Sequence, residues 1–487
     1  MRVSIMKKIA ILLVAAFALL GVNTANAQSR TSYFMEGSYF RSEFNPALVP
    51  TRGYIMMPGL GGVNLNAGTN FLSFDNFIYQ RGDQYLTALH KSVTVDEVME
   101  KLPSSLKGGL SANFNILGLG FYTKRVFWSA GLNLRTDNNM SASPEFFSAL
   151  KSLGNGTFDL GSTSITSNEY LEAYGGISFP LFDWLTVGAK GKILFGLANL
   201  TAEFDKMDIN VGEDAITAQL HGQWQGNSPV FDNRALLEGK EVGFNDLLCI
   251  DDMNYMKQNL KNFGAAVDLG VEMRFLNNHL KVSAAVTDFG FIKWAAPSHI
   301  GGEITGGFQF TGVTIGGEST EKIIRPLDGT TTIIDTDNLL KKGAYEGYVT
   351  YLTYSINAGA EYNLLRNKIA FGLFSQTKML ESSRYTEVTA SVNLRPTNWL
   401  SATVSQTLVN GYGPGVYGAA INIHPALFNF YIGVDFIDSN YVALGDMFGM
   451  QNVYIPRNAT TLNIYTGLAF NFGRPKHLKN KKSARWM

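Results

Sequence analysis

The sequence predicts an all-β protein, a transmembrane antiparallel β-barrel of about 14 strands with an N-terminal plug-like segment. The first indication is alternation: between residues 461 and 472, apolar side chains occupy one phase and polar or small side chains the other. A period of two over such a length is typical of a strand that faces lipid on one side and a lumen on the other. The pattern recurs at 267–275, 369–373, 388–395, 400–408 and 428–436.

Composition gives the second indication. Of 487 residues, 50 are glycine and 33 are phenylalanine, whereas only 16% are charged. Lys and Arg together number 40, as do Asp and Glu, so no net charge draws the chain to nucleic acid. The single cysteine, Cys249, excludes an internal disulfide and a cysteine metal cluster. This length would suggest roughly two or three soluble domains, yet no linker divides it, and one large barrel accounts for it.

Residues 1–27 are predicted to be a secretory signal peptide. A basic start is followed by an apolar run at 9–20, and the small-x-small triplet Ala25-Asn26-Ala27 predicts cleavage before Gln28. The alternative is an uncleaved membrane anchor, but the apolar run is short for a membrane span. No later apolar run reaches the length of a transmembrane helix, so the exported protein would cross a membrane only with strands.

Residues 28–53 precede the first strand of the barrel and are predicted to form the plug. Their large apolar side chains, which include Tyr33, Phe34 and Phe44, favour shelter inside or under the barrel on its periplasmic side. Pro46 and Pro50 restrict how the segment bends there. We therefore expect this segment to obstruct the passage through the barrel.

The triplet Asn45-Pro46-Ala47, in this position, resembles the N-terminal hatch region of the FadL-type transporters of long-chain fatty acids and other hydrophobic compounds. The leader as a whole also resembles that of an uncharacterised family of Gram-negative outer-membrane barrels related to that group. The resemblance extends through the layout of strands and turns. It implies a barrel in the cell outer membrane, surrounded by lipid, that passively transports hydrophobic small molecules. The alternative is an accessory or docking barrel of a secretion or surface-assembly system, with unknown protein partners.

Residues 54–473 are predicted to form the barrel, and 474–487 a basic periplasmic tail. Short connections lie near 123–125, 180–183, 277–279, 366–368, 396–398 and 425–427. Longer connections lie at 74–107, 137–164, 205–261, 295–347, 380–383, 411–415 and 438–458. Alternation of short turns with long loops requires about 14 strands, with both termini on the short-turn side. The segments 215–225 and 303–315 also read as strands; we place them in extracellular loops, and about 16 strands would result if they crossed the membrane.

Asp288 conflicts with the alternation around it. Leu280, Val282, Ala284 and Val286 set a lipid-facing phase that Asp288 would continue, and a carboxylate facing lipid is unfavourable. A possible β-bulge at Asp288, or a strand that has already left the membrane, would resolve the conflict, and we favour the bulge. The triplet at 288–290 spells a kinase metal motif, but no phosphate-binding loop or catalytic loop accompanies it.

Charged residues on the opposite phase are the candidate lumen-facing residues. They are Arg135, Glu172, Lys190, Lys192, Asp268, Glu272, Arg274, Lys281, Glu361, Arg395 and Asp435. One interpretation is a salt-bridged interior that fills a packed barrel, and the other is a polar channel or a support for a hatch. Mixed signs favour the first, because a selective ion pore more often carries one dominant sign. In the same scheme Val267, Leu269, Val271, Met273 and Phe275 face lipid.

Aromatic side chains near strand ends predict interfacial girdles, and the candidates are Trp128, Trp184, Trp294, Trp399 and Phe428. No catalytic, metal or cofactor site is predicted. The six histidines form no closely spaced pair of the metal-binding type. Ser405 and His424 lie on neighbouring predicted strands, but nothing places them in register as a hydrolase would need, so an enzyme is disfavoured.

Overall fold

The structure is a computed structural model that describes residues 30–71, 73–82, 84–88, 90–145, 147–148, 156–161, 163–211, 216–240, 247–249, 261–310, 324–326, 334–335, 340, 346–379, 384–409, 412–437, 441–443, 454–456 and 460–475. The predicted signal peptide and most of the predicted basic tail lie outside these residues. Among them, no helix is both long and apolar enough to span a membrane.

Fourteen antiparallel strands form a closed barrel, as the sequence predicts. They are β1 (Gly53–Met56 and Gly62–Thr69), β2 (Leu106–Thr123), β3 (Val126–Ala142), β4 (Thr163–Phe182), β5 (Leu185–Val211), β6 (Phe263–Phe275), β7 (Leu280–Trp294), β8 (Tyr348–Tyr351 and Tyr354–Leu364), β9 (Ile369–Met379), β10 (Arg384–Leu394), β11 (Leu400–Val409), β12 (Tyr412–Ile423), β13 (Phe428–Ile437) and β14 (Thr460–Phe472). Each strand pairs with the next, and β1 pairs with both β2 and β14, from Gly53 opposite Phe472 to Thr69 opposite Thr460. Closure leaves no exposed strand edge in the wall.

The short turns lie at one end of the barrel, where the sequence predicts them. Lys124, Asn277, Asn278 and Asn367 have positive φ angles of 53–69°, so the chain reverses in the left-handed region that asparagine tolerates. Trp128, Trp184, Trp399 and Phe428 are exposed near this end, which suits an interfacial girdle. Trp294 does not belong to the girdle, because it is fully buried and its indole N–H donates to Thr350.

The two extra strand-like segments do not cross the membrane. Ile216–Asn227 pairs with the C-terminal part of β5, and His299–Phe310 pairs with Ile216–Asn227. The wall strand β6 contacts only the first part of β5, from Leu185 to Phe195. The long β5 therefore continues beyond the wall and carries this hairpin-like extension on the loop side. The smaller strands Gly156–Asp159, Ile324–Pro326 and Ile334–Asp335 add to the same sheet.

The remaining elements belong to the loops and to the interior. Among the described residues, the α-helices are Phe74–Phe77, Val95–Lys101 and Arg234–Leu237, and two hairpins pair Ile78–Arg81 with Gln84–Thr87 and Tyr441–Ala443 with Tyr454–Pro456. Short 3-10 helices span Arg30–Phe34, Tyr39–Glu43 and Ala296–Ser298. An apolar cluster around Val98 packs the elements of the loop between β1 and β2 against one another at the rim of the barrel.

The two faces of the wall differ in polarity, and the arrangement is the reverse of that in a soluble protein: apolar side chains lie outside and polar side chains lie inside. Large apolar side chains such as Leu269, Phe371 and Val404 are more than half exposed, whereas Asn133, Thr389 and other polar side chains are buried. Val267, Leu269, Val271, Met273 and Phe275 are exposed or half-buried on the outside, while Asp268 and Glu272 are buried. Such a surface is stable only when hydrocarbon surrounds it.

Candidate functional site

The interior of the barrel is filled by residues 30–52, and this segment with its contacts forms the candidate site. Two 3-10 helices, Arg30–Phe34 and Tyr39–Glu43, make up its compact part, and Ser38 caps the second by accepting from the Phe40 N–H. Gly37 joins them with φ of 90°, and a Cβ there would lie 2.6 Å from the His424 ring. Only glycine fits both requirements.

Aromatic rings attach the segment to the wall. Tyr33 stacks on Phe374 of β9 at a centroid distance of 4.2 Å, and Tyr39 stacks on Tyr54 of β1 at 4.8 Å. Phe40 lies parallel to Tyr465 of β14 at 6.0 Å. All of these rings are buried, and each contributes about 1.5–3 kcal/mol by leaving water.

Wall glycines form seats for the segment. Gly188 and Gly270 are cross-strand partners on β5 and β6, and Asn45-Pro46 sits above them. A Cβ on Gly270 would lie 2.0 Å from the Asn45 Oδ1, and one on Gly188 would lie 2.4 Å from the Pro46 carbonyl oxygen. Gly359 is covered in the same way by Tyr33. Pairing two glycines on the inward phase thus opens a gap into which the backbone of the segment fits.

Asn45 uses its whole amide in this seat. Its Nδ2 donates to the carbonyl oxygens of Val271 at 3.0 Å and Ala284 at 3.3 Å, which belong to β6 and β7. Its Oδ1 accepts from the Ala47 N–H at 2.8 Å, which closes a turn through Pro46. The predicted hatch motif therefore contacts the wall in the barrel interior.

Two glutamates of the segment bind basic residues of the wall. The Glu36 carboxylate forms ion pairs with Lys281 at 3.0 Å and Arg395 at 3.3 Å, and it accepts a hydrogen bond from the Asn367 side-chain amide at 2.6 Å. The Glu43 carboxylate forms ion pairs with Lys190 and Arg135, both at 3.2 Å. Burial alone would raise the pKa of each carboxyl, but the neighbouring cations outweigh it and lower the pKa of both. We call these the Glu36 clamp and the Glu43 clamp.

The first residues of the segment add further polar contacts. Arg30 forms a buried ion pair with Glu387 of β10. Thr31 hydrogen-bonds both the Asp435 carboxylate and, at 2.6 Å, the Ser405 hydroxyl. Each contact joins residues that are hundreds of positions apart, so the segment is held by the assembled barrel and not by its own sequence neighbours.

Asp288 lies in the interior because the ladder shifts beside it. The register between β6 and β7 changes between Val267 and Leu269, and Asp288 has φ of 61°. The extra residue turns its carboxylate to Lys192 at 2.5 Å and Arg135 at 3.1 Å, and its N–H donates to Asp268 at 2.7 Å. The same shift exchanges the phases beyond it, so that Ile292 and Trp294 point inward. This exchange is why Trp294 is absent from the girdle.

The charged residues predicted for the lumen form connected groups. Arg135, Glu172, Lys190, Lys192 and Asp268 join Asp288 and Glu43 in one network. A second group places Lys281, Glu361 and Arg395 around Glu36. Glu272 pairs with Arg274 near the periplasmic end, and Asp435 binds Thr31. The groups therefore both balance charge in the interior and hold the N-terminal segment.

Sequence reasoning missed the residues that complete these groups. Glu36, Glu43 and Arg30 are three of the five charged residues of a leader rich in large apolar side chains, and that contrast is the signal that could have marked them. The glycine seats were also missed, although glycine on an inward phase next to charged neighbours was visible. Ser405 and His424 are not in a catalytic arrangement, because Ser405 bonds Thr31 and the His424 ring packs on Gly37. No group of three potential ligands within the described part of the chain could hold a metal ion.

Two cavities lie on opposite sides of the segment. A cavity of about 560 Å³ opens among the short turns and is lined by Glu36, Arg41 and Leu48 from the segment. A cavity of about 90 Å³ lies toward the loops and is lined by Phe40, Glu43 and Phe44 from the segment. The segment thus stands between them.

A closed fourteen-strand barrel with an apolar exterior and a filled polar interior defines an outer-membrane β-barrel. The chain belongs to the family of unknown function DUF5723, whose model matches residues 46–435. This match confirms the resemblance to an uncharacterised barrel family.

Solved structures with a similar fold include a Pseudomonas aeruginosa FadL homologue, 10% identical over 93% of this chain and 99% of its own, with a TM-score of 0.44. The Pseudomonas putida toluene transporter TodX is 8% identical over 89% and 93%, with a TM-score of 0.37. The Ralstonia pickettii toluene transporter TbuX is 10% identical over 90% and 95%, with a TM-score of 0.33. No curated protein sequence matches the chain.

Proposed function

We propose that this barrel lets hydrophobic small molecules cross the outer membrane passively, and that residues 30–52 are its hatch. The hatch closes the axial path, and its withdrawal opens a lateral path between the lumen and the bilayer. The observation that carries the proposal is an interruption of β1 at 57–61, held shut by the hatch.

The interruption replaces the regular ladder by an outward loop. Met56 is the last residue of the first part of β1, opposite Ala469, and pairing with β14 resumes at Val63 opposite Thr466. In between, the Met57 N–H donates to the Leu468 carbonyl and the Leu468 N–H donates to the Leu60 carbonyl. Pro58 offers no N–H for the ladder, and Leu60 is exposed on the outside. Fewer backbone bonds therefore hold the wall together at this point than elsewhere along β1.

The hatch contacts the inner side of this interruption. The Tyr39 hydroxyl donates to the Gly61 carbonyl oxygen at 2.6 Å, and the buried Met56 packs against Gly61 and Gly118. Withdrawal of the hatch would remove Tyr39 and leave the Gly61 carbonyl without its partner. The loop would then be held by its backbone bonds to Leu468 and Ile116 alone, and opening of these bonds would leave a gap between β1 and β14 that faces the hydrocarbon.

A lateral path suits an apolar cargo. The interior wall is lined by buried Asn, Thr and charged side chains, which an apolar molecule could cross only by displacing their polar contacts. The outside near the interruption carries Ile55, Leu117 and Leu119, all exposed and apolar. A molecule that leaves sideways enters hydrocarbon directly and avoids transfer back into water.

A reversible cross-link of hatch to wall tests the proposal. Thr31→Cys with Ser405→Cys, in a Cys249→Ala background, replaces two hydroxyl oxygens that lie 2.6 Å apart. We expect uptake of the apolar dye N-phenylnaphthylamine by proteoliposomes to be at least tenfold slower when the disulfide is formed, and to recover on reduction. Uptake should run only down the concentration gradient. Thr31→Cys alone, in the same background, is the control and should not respond to the oxidant.

Equal uptake by the oxidised and reduced proteins would overturn the hatch as a gate. If both also matched protein-free vesicles, the transport function itself would be rejected.

A further inference from the structure

Two arginines, Arg52 and Arg474, lie next to each other at the short-turn end of the barrel, where β1 begins and β14 ends. Gly53 lies opposite Phe472, and the Gly53 N–H donates to the Gly473 carbonyl oxygen at 3.2 Å, so the two arginines flank this bonded position. Both are half-buried, and neither forms an ion pair with another described residue. The Nε atom of Arg474 is buried and has no hydrogen-bond partner among those residues.

The neighbouring turns supply no free carboxylate for this pair. Asp183 is the one acidic residue of the six short turns, all of which the structure describes, and it is paired with Arg125 at 3.1 Å. The sequence that follows Arg474, residues 475–487, contains no Asp or Glu. Burial and the Arg52 guanidinium both lower the pKa of Arg474, which is the direction expected for a cation whose charge is not compensated.

The carboxylates of the barrel mouth belong to a different group. Glu36 and Glu272 line the cavity of about 560 Å³ among the turns, whereas neither Arg52 nor Arg474 lines it. Glu36 is bound in its clamp, and Glu272 is paired with Arg274. The Arg52–Arg474 pair is therefore left with two positive charges that an anion from outside the chain could compensate.

The outer surface beside the pair is apolar. The Phe472 ring lies against Gly53, where an added Cβ would come within 2.8 Å of the ring. Phe472, Phe470 and Ile55 are exposed on the lipid side, and Phe470 is the cross-strand partner of Ile55. Two cations thus adjoin a continuous apolar strip that belongs to both β1 and β14.

The pair also lies at the level where lipid headgroups are expected. Trp128 of the interfacial girdle is the cross-strand partner of Phe121 on β2. The residue before Phe121 is Gly120, which lies opposite Tyr54 of β1. The start of β1 is therefore beside the girdle, at the boundary between hydrocarbon and water.

We propose that Arg52 and Arg474 bind the phosphate of an anionic phospholipid in the periplasmic leaflet, and that its acyl chains lie along Phe472, Phe470 and Ile55. Guanidinium groups bind phosphate oxygens in pairs of parallel hydrogen bonds, so two of them suit one phosphate. A zwitterionic headgroup brings an ammonium for which the pair offers no acceptor, so the site prefers a lipid with net negative charge. The bound lipid contacts both strands of the seam that closes the barrel.

Dioleoylphosphatidylglycerol is the probe, and dioleoylphosphatidylethanolamine is the zwitterionic lipid with the same acyl chains. Native mass spectrometry of the full mature chain in detergent measures lipid binding, and heat-modifiable electrophoretic mobility reports that each variant is folded. We expect the wild type to bind the anionic lipid about tenfold more tightly, which corresponds to about one charge-assisted hydrogen bond. Arg52→Gln with Arg474→Gln should bind both lipids equally.

The matched control is Arg366→Gln with Lys368→Gln. It removes the same two charges from the turn between β8 and β9, on the opposite side of the barrel, and should keep the preference of the wild type. Inorganic phosphate in excess should leave the anionic lipid bound, because it lacks the acyl chains. Loss of the preference in the control would assign it to the general charge of this end and overturn the site. Displacement by inorganic phosphate would show a site for the free anion and would also overturn the lipid site.

Thermal unfolding of the wild type gives a readout that needs no variant. The anionic lipid should raise its unfolding temperature more than the zwitterionic lipid does, because a ligand of the folded state stabilises that state. Equal binding of the two lipids to the wild type, with equal unfolding temperatures, would overturn the site. None of these measurements depends on transport, so this site and the transport function fail or stand separately.

Discussion

Single atoms decide whether the hatch fits its seat. The gap above Gly188 and Gly270 exists only because neither residue has a side chain, and the Asn45 amide fills it. Alternation in the sequence could assign both glycines to the inward phase. It could not show that they are cross-strand partners, because that requires the register between β5 and β6. The same limit applies to Glu36 and Glu43, whose partners lie on distant strands.

Gly270→Ala should loosen the hatch. Its methyl group would lie 2.0 Å from the Asn45 Oδ1, and overpacking of this kind costs about 1–3 kcal/mol. We therefore expect trypsin to cleave after Arg41 roughly tenfold faster, since about 1.4 kcal/mol changes an equilibrium constant tenfold and cleavage follows the population of the opened segment. Gly175→Ala is the matched control, because a Cβ there meets nothing within 4 Å. Equal cleavage of the two variants would show that the seat does not hold the hatch.

The two glutamate clamps should persist through mildly acidic pH. Folding lowers the pKa of Glu36 and Glu43, so their contribution to hatch docking is fully present above the unfolded pKa, about 4.5, and is lost as the pH falls through the lower folded values. We expect flat conductance of planar bilayers between pH 7 and about 5, with leakage appearing only at more acidic pH. Glu43→Gln should leak already at pH 7. A rise in wild-type conductance near pH 6 would contradict the clamps.

At the scale of elements, alternation of apolar and polar side chains was enough to predict the strands of the wall. It was less informative about the strands that extend beyond the wall on the loop side. The turns, the strand number and the phase conflict at Asp288 all follow from alternation and turn chemistry. The pairing of Ile216–Asn227 with β5 does not, because a strand beside a long wall strand shows the same alternation whether lipid or water surrounds it. Only the register, which leaves β6 on the first part of β5, separates the two cases.

Asp288 combines two roles that different substitutions separate. Asparagine at this position tolerates the positive φ but removes the negative charge that pairs with Lys192 and Arg135. Alanine removes the same charge and is also strained by the positive φ. Breaking a buried pair costs about 3–5 kcal/mol, and left-handed backbone adds about 1–2 kcal/mol for alanine. We expect the unfolding temperature in heat-modifiability assays to fall for Asp288→Asn and to fall further for Asp288→Ala. Asp288→Gly also removes the charge but tolerates the positive φ, so its unfolding temperature should match that of Asp288→Asn. An Asp288→Gly variant as stable as the wild type would show that the ion pairs of Asp288 do not stabilise the barrel.

At the scale of the whole molecule, wall and hatch rest on different interactions. The wall closes through backbone hydrogen bonds around fourteen strands, which need no contribution from the interior. The hatch depends on the wall for its aromatic stacking, its glycine seats and its ion pairs. The barrel should therefore survive without the hatch, whereas the hatch has no folded state of its own.

Deletion of residues 30–44 tests this asymmetry together with the obstruction of the passage. The variant should still insert and show heat-modifiable mobility, at a lower unfolding temperature, because Lys190 and Glu387 lose their ion-pair partners and Lys281 keeps only Glu361. Water entering the emptied interior would solvate those charges and limit the loss. Conductance of reconstituted barrels for small ions should rise by at least tenfold, since the two cavities then join along the axis. A folded deletion variant with wild-type conductance would mean that other parts of the barrel close the passage and that residues 30–44 serve only as an internal brace.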